Sequence, residues 1–130
     1  MKLLSVAAAV FTAAADLKIK DVMSEISPDQ VIYNKGFAAN RLDSRPRVVA
    51  LVSAALTAVI TAVFFSGKYT PGEELANGLI LGGALSNTSE RIARGKVTDY
   101  IPLGKYVYNI GDFAIYAGSL IKLIFSFFNR

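Results

Sequence analysis

"VVALVSAALTAVITAVFF", Val48 to Phe65, runs for eighteen residues without a charge or a proline. A helix rises 1.5 Å per residue, so about 20 such residues cross a hydrocarbon core roughly 30 Å thick. The stretch predicts a transmembrane helix and hence an integral membrane protein. Composition agrees, since 53% of the 130 residues are hydrophobic and mean hydropathy is positive. A chain of this length builds one domain.

Working outward from this helix, three further spans emerge, giving an all-α integral membrane fold with spans over about 3–23, 48–65, 75–89 and 107–128. The first, "LLSVAAAVFTAAADLKIKDVM", imitates a signal peptide, with Lys2 ahead of an apolar run and Ala13-Ala14-Ala15 as a small-residue cleavage site. The helical pattern continues past Ala15, however, because Asp16 and Lys20 sit at i and i+4 on one face. A retained first helix is therefore expected. Residues 24–46 carry Pro28, Gly36 and Pro46, and "QVIYN" has strand-type residues, so this segment reads as a small extramembrane β-region. The third span is rich in Ala76, Gly78, Gly82, Gly83 and Ala84, residues that let helix backbones approach closely in lipid.

Composition also limits the chemistry. The chain has no cysteine and no histidine, so it lacks a thiol nucleophile, an imidazole base and a disulfide framework. The net charge of +4 is scattered and shows no nucleic-acid face. Carboxylates are the reactive groups that remain. Asp16, Lys20, Asn34, Asn87, Glu90, Arg91, Asp99, Asn109 and Asp112 all fall at one end of an up-down-up-down bundle. Ionisable groups at membrane depth normally face a bundle interior or a wet cavity, and they mark functional sites by default. Each alone has a blander explanation as an interfacial cap or a snorkelling charge; a cluster on one side is harder to explain that way. Two aspartates held together share a proton, so that one can take a proton from water while the other donates to a carbonyl oxygen. The oxygen-rich metal site that could compete with this reading normally needs more carboxylates at closer spacing, and no metal or cofactor is expected.

The order of these groups resembles signal peptidase II, the prolipoprotein signal peptidase family of bacteria. Asp16 and Lys20 resemble its D-x-x-x-K, and "YNKGFAA" (33–39) resembles its N-x-G-x-A through Asn34 and Gly36. "GGALSNTSERIARGKVTDY" (82–100) resembles G-G-A-x-x-N-x-x-D-R-x-x-x-G-x-V-x-D-[FY], and "YNIGDF" (108–113) resembles F-N-x-A-D. The resemblance implies a four-helix membrane aspartic peptidase with a small extracytoplasmic β-cradle after helix one. It makes Asp99 and Asp112 the catalytic pair. Asn87, Arg91 and Asn109 would surround that pair, and Asp16, Lys20, Asn34 and Gly36 would shape the substrate pocket. The chain departs from the pattern at Glu90 (usually Asp), at Gly111 (commonly Ala), and in a shorter stretch between the two aspartates.

The implied activity is cleavage of diacylglyceryl-modified prolipoproteins before the lipid-bearing cysteine. It would take place at the outer face of the bacterial cytoplasmic membrane, by a monomer in contact with membrane lipid. Charge counting points the other way. The loops beside the site hold Lys18, Lys20, Lys35, Arg41, Arg45, Arg47, Arg91, Arg94, Lys96 and Lys105, against Lys2, Lys68, Lys122 and Arg130 on the far side. The positive-inside rule would place the first set in the cytoplasm. That rule is statistical whereas a site is a local requirement, and the resemblance is followed. Two other readings stay open: a non-catalytic protein of the same scaffold that binds lipidated or hydrophobic peptides, and a small ion or proton transporter. The polar residues gather at one end and helix two carries only Ser53, Thr57 and Thr61, which suits an interfacial site better than a conduit.

Overall fold

The computed structural model describes residues 2–36 and 44–128. Among the described residues there are four helices: α1 (Leu3–Ile26), α2 (Pro46–Ser66), α3 (Pro71–Arg94) and α4 (Ile110–Phe128). Four three-residue strands lie beside their ends: β1 (Ile32–Asn34), β2 (Val97–Asp99), β3 (Ile101–Leu103) and β4 (Tyr106–Tyr108). Of the helices, α2 and α4 are long and apolar enough to cross a membrane.

Element boundaries follow local chemistry. Helix α3 begins four residues before the expected span because Thr70 and Glu73 form a reciprocal capping box with Pro71 in the first turn. It runs five residues beyond the expected end, to Arg94, and stops at Gly95, whose φ of 73° is the left-handed conformation that closes helices. Helix α4 starts at Ile110 rather than 107 because Tyr106–Tyr108 pair with Ile101–Leu103 in a hairpin. Gly104, at φ 65°, occupies the first position of its two-residue turn, which needs positive φ. Among the described residues of the 24–46 segment, expected to hold the β-region, one strand forms. This β1 pairs antiparallel with β2, so that Ile32 faces Asp99 and Asn34 faces Val97. Strands β2 and β3 fall between the third and fourth expected spans, and β4 overlaps the start of the fourth. Phe37 to Ala39 of the "YNKGFAA" element lie outside the described residues.

The central element is α3, which packs against α1, α4 and α2. Its α1-facing stripe, Gly78, Gly82, Ser86 and Glu90, repeats every fourth residue and is fully buried. It meets a matching stripe on α1, Ser5, Ala9, Thr12, Asp16 and Lys20. A Cβ at Gly82 would sit 2.7 Å from the Ala9 carbonyl oxygen, so the backbones touch there. A Cβ at Gly83 would collide with the Gly111 carbonyl oxygen, fixing the approach of α4. On the third side, Thr57 and Thr88 share a hydroxyl hydrogen bond of 3.0 Å between α2 and α3. Outward positions such as Phe11, Leu51, Val59, Leu120 and Phe127 are exposed, leaving large apolar side chains around the bundle.

Gly82→Val forces the α1 and α3 backbones apart and should destabilise the protein by about 1–3 kcal/mol, as overpacking does. Leu85→Ala, which trims an exposed side chain of the same helix, should stay within about 0.5 kcal/mol. Thermal melts in detergent compare them, and equal melting would contradict direct backbone contact between the two helices.

Candidate active site

Burial of charge organises the site. Lys20 is 1% exposed and Asp16 0%, far drier than a lysine or aspartate tolerates without partners. The Lys20 ammonium lies 2.9 Å from Asp16 Oδ2 and 3.1 Å from Glu90 Oε1. It also donates to Ser86 Oγ (3.1 Å) and Asn87 Oδ1 (3.0 Å). Ser86 Oγ donates to Asp16 Oδ2 at 2.6 Å. Each buried charge is thus paired and hydrogen-bonded, which low-dielectric burial requires.

Two branches lead from this cluster towards the aspartates expected to be catalytic. Asn87 accepts from Lys20 and donates through Nδ2 to Asp112 Oδ1 at 3.0 Å. Glu90 accepts from the Thr98 backbone N–H at 2.9 Å and from the Thr98 hydroxyl, gripping β2 one residue before Asp99. Asp99, at the end of β2, is buried; Asp112, third residue of α4, is half-buried.

Asn109 joins the pair. Its Nδ2 donates to Asp99 Oδ1 at 2.9 Å, and its Oδ1 accepts from the Asp112 backbone N–H at 2.8 Å. Asp112 Oδ2 accepts in return from the Asn109 backbone N–H at 3.1 Å. This reciprocal arrangement is a capping box, which satisfies two donors at the start of α4 and fixes the Asp112 carboxylate against Asn109, the residue that also binds Asp99. Burial pushes the Asp99 carboxyl up to about 7, with the neighbouring charge of Asp112 adding to it. Side-chain hydrogen bonds from Asn109 and Asn34 and the charge of Lys20 work against that rise. A carboxyl poised near neutrality beside a second carboxyl is the arrangement that shares one proton.

The remaining expected residues fall around this centre. Asn34, on β1, bonds to Asp99 and accepts from the Gly36 backbone N–H at 3.0 Å. Arg91 donates to the Gly36 carbonyl at 3.2 Å and to Ser53 Oγ at 3.1 Å, tying the β1 region to α2 and α3. Asp16 and Lys20, expected to shape a substrate pocket, are buried among the described residues. They connect to the aspartates through Asn87 and the start of α4. Ser86, Thr98 and Tyr100 were not among the expected site residues. The fourfold spacing of Gly78, Gly82, Ser86 and Glu90 could have placed Ser86 on the Lys20 face; Tyr100 fills the [FY] position of the block, which phenylalanine also satisfies, so the pattern gives its hydroxyl no role, and nothing local marks Thr98.

Comparison with known proteins gives one consistent family. The Signal peptidase (SPase) II family matches residues 5–128. The lipoprotein signal peptidase of Syntrophomonas wolfei is 35% identical over 95 residues, covering 72% of this chain and 63% of that protein. That of Geobacillus kaustophilus is 32% identical over 113 residues, covering 77% of this chain and 72% of its own length. The Aquifex aeolicus protein of the same name is 35% identical over 109 residues, covering 77% and 65%. The chain therefore spans slightly less than two thirds of two of these relatives. A solved bacterial membrane enzyme superposes with a TM-score of 0.77 over 92% of this chain and 85% of that one, at 21% identity. From nearly end to end, the chain belongs to the signal peptidase II family.

Proposed function

We propose that the protein is a lipoprotein signal peptidase that works as an aspartic endopeptidase. The observation that carries this reading is the Asn109 bridge, which binds Asp99 with its amide nitrogen and caps the helix turn that holds Asp112. In the starting state the pair holds one proton. The ionised carboxylate takes a proton from water, and the resulting hydroxide adds to the carbonyl carbon before the lipid-modified cysteine. The neutral carboxyl donates its proton to the carbonyl oxygen. When the tetrahedral intermediate collapses, a proton passes to the cysteine nitrogen and the C–N bond breaks. Each proton transfer is worth about 10²–10⁴-fold.

All four helices are read as membrane spans, with the strands as the extracytoplasmic cradle. Helices of 24, 21, 24 and 19 residues all fall within the roughly 17–25 residues that span a bilayer core, the shortest rising about 29 Å. The pair then lies at the outer interface of the bacterial cytoplasmic membrane, and the substrate's acyl chains stay in lipid. Asn34, Gly36, Asn87, Arg91 and Asn109 hold the site's walls. Asp16 and Lys20 serve as the buried support beneath them, and a monomer suffices.

Asp99→Asn and Asp112→Asn should each lower cleavage of a lipidated precursor peptide by the purified protein at least about 10²-fold, while leaving it monodisperse in detergent. Cleavage at the wild-type rate by either variant would contradict the assignment. The pH dependence follows from the raised carboxyl of Asp99. Activity needs the shared proton, so kcat/KM should fall as pH rises through about 7. Between the ordinary aspartate value of about 4 and that point the folded state holds a proton that the unfolded state has lost. Stability should accordingly decline as pH rises across that window, and Asp99→Asn should flatten the slope in melts run at several pH values.

A further inference from the structure

Tyr100 follows Asp99 directly and is 7% exposed. Its backbone N–H donates to the Tyr108 carbonyl at 2.8 Å, which anchors the residue to the strand entering α4. The hydroxyl makes two further bonds in opposite senses. It donates to Asp16 Oδ1 at 2.8 Å and accepts from the Ile110 backbone N–H at 3.1 Å. Burial raises the phenol above its usual range, so it remains a donor at working pH.

These bonds land on the turn that carries Asp112. The first N–H groups of a helix have no partner within it. At α4 the reciprocal cap takes the Asp112 N–H, and the Tyr100 hydroxyl takes that of Ile110. Between them lies Gly111, where a Cβ would come within 2.7 Å of Asp16 Oδ2. The first turn of α4 therefore rests directly on the Asp16 carboxylate, with Tyr100 bonded to both. Asp16 Oδ2 is already occupied by Lys20 and Ser86, and Tyr100 serves the other oxygen.

We propose that Tyr100 is a positioning residue of the active site: its hydroxyl couples buried Asp16 to the first turn of α4 and so sets the placement of Asp112 against Asp99. This rests on the peptidase reading above. Deleting the hydroxyl leaves the ring to fill its space but removes a donor from Asp16 and an acceptor from Ile110. The turn then loses one of its fixed points, while no residue facing substrate is altered. Misplacement of a reacting group by an ångström can cost about 10²-fold in rate.

The test compares wild type, Tyr100→Phe and the control Tyr106→Phe, an exposed tyrosine of β4, each as monodisperse protein in detergent with a lipidated precursor peptide. For Tyr100→Phe, kcat per folded molecule should fall about 10- to 10²-fold with KM within about twofold. The alkaline limb of the pH profile should move to lower pH, because a displaced Asp112 no longer raises Asp99 as strongly. Tyr106→Phe should match wild type in all three. A purely structural role would reduce the folded yield without moving the limb or the rate per folded molecule. That outcome, or unchanged kinetics, overturns the role of Tyr100 while leaving the peptidase reading intact. Failure of the wild type to cleave overturns both.

Discussion

One buried ammonium holds this structure together. Lys20 has lost its water, and its stability depends on Asp16 and Glu90 standing where they do. Breaking a pair of this kind leaves an uncompensated charge in a low-dielectric interior, at a penalty of about 3–5 kcal/mol. The constraint acts at a distance because neither acid is a dead end. Glu90 holds Thr98 and with it the strand that ends in Asp99. Asp16 holds Tyr100, which holds the start of α4, and Lys20 itself orients Asn87 towards Asp112. Elements from α1, α3, β2 and α4 are thereby set against one another by a single cluster of charges.

The cluster also explains why the bundle is built with its polarity reversed relative to a water-soluble one. The facing stripes of α1 and α3 bury Ser5, Ala9, Thr12, Asp16 and Lys20 against Gly78, Gly82, Ser86 and Glu90, while large apolar side chains such as Phe11, Leu51, Leu120 and Phe127 are exposed. On the proposed reading of all four helices as membrane spans, burying a leucine brings no hydrophobic gain, and close packing of small residues with interhelical hydrogen bonds holds the helices together. The fourfold repeat on α3 serves both needs. Its glycine half brings the backbones together, and its Ser86–Glu90 half delivers hydrogen-bond partners to Lys20 at the same close spacing.

Much of this was legible in the amino-acid sequence, and the limits have physical causes. The run from Val48 to Phe65 announces a spanning helix through length and polarity alone. Asp16 with Lys20, and the block from Gly82 to Asp112, carry side chains whose presence in a greasy chain calls for explanation, and the structure brings them together. Strands β2, β3 and β4 were missed because three-residue strands have too few positions to show an alternating pattern, and β1 finds its partner some sixty-five residues away. Tyr100 was missed for a different reason. Its importance lies in one hydroxyl bridging α1 and α4, a relation that no local pattern records.

On the proposed reading, the chemistry itself needs little beyond two carboxylates and a water held between them. The pair can act through water directly, or one carboxylate could attack the peptide and form a mixed anhydride. A single turnover of the purified protein on a lipidated precursor peptide in H₂¹⁸O, read by mass spectrometry of the released signal peptide, tests the account at its centre. Direct attack by water predicts one ¹⁸O in the new C-terminal carboxylate. An intact precursor would contradict the activity, and a product bearing only ¹⁶O would contradict the shared-proton mechanism.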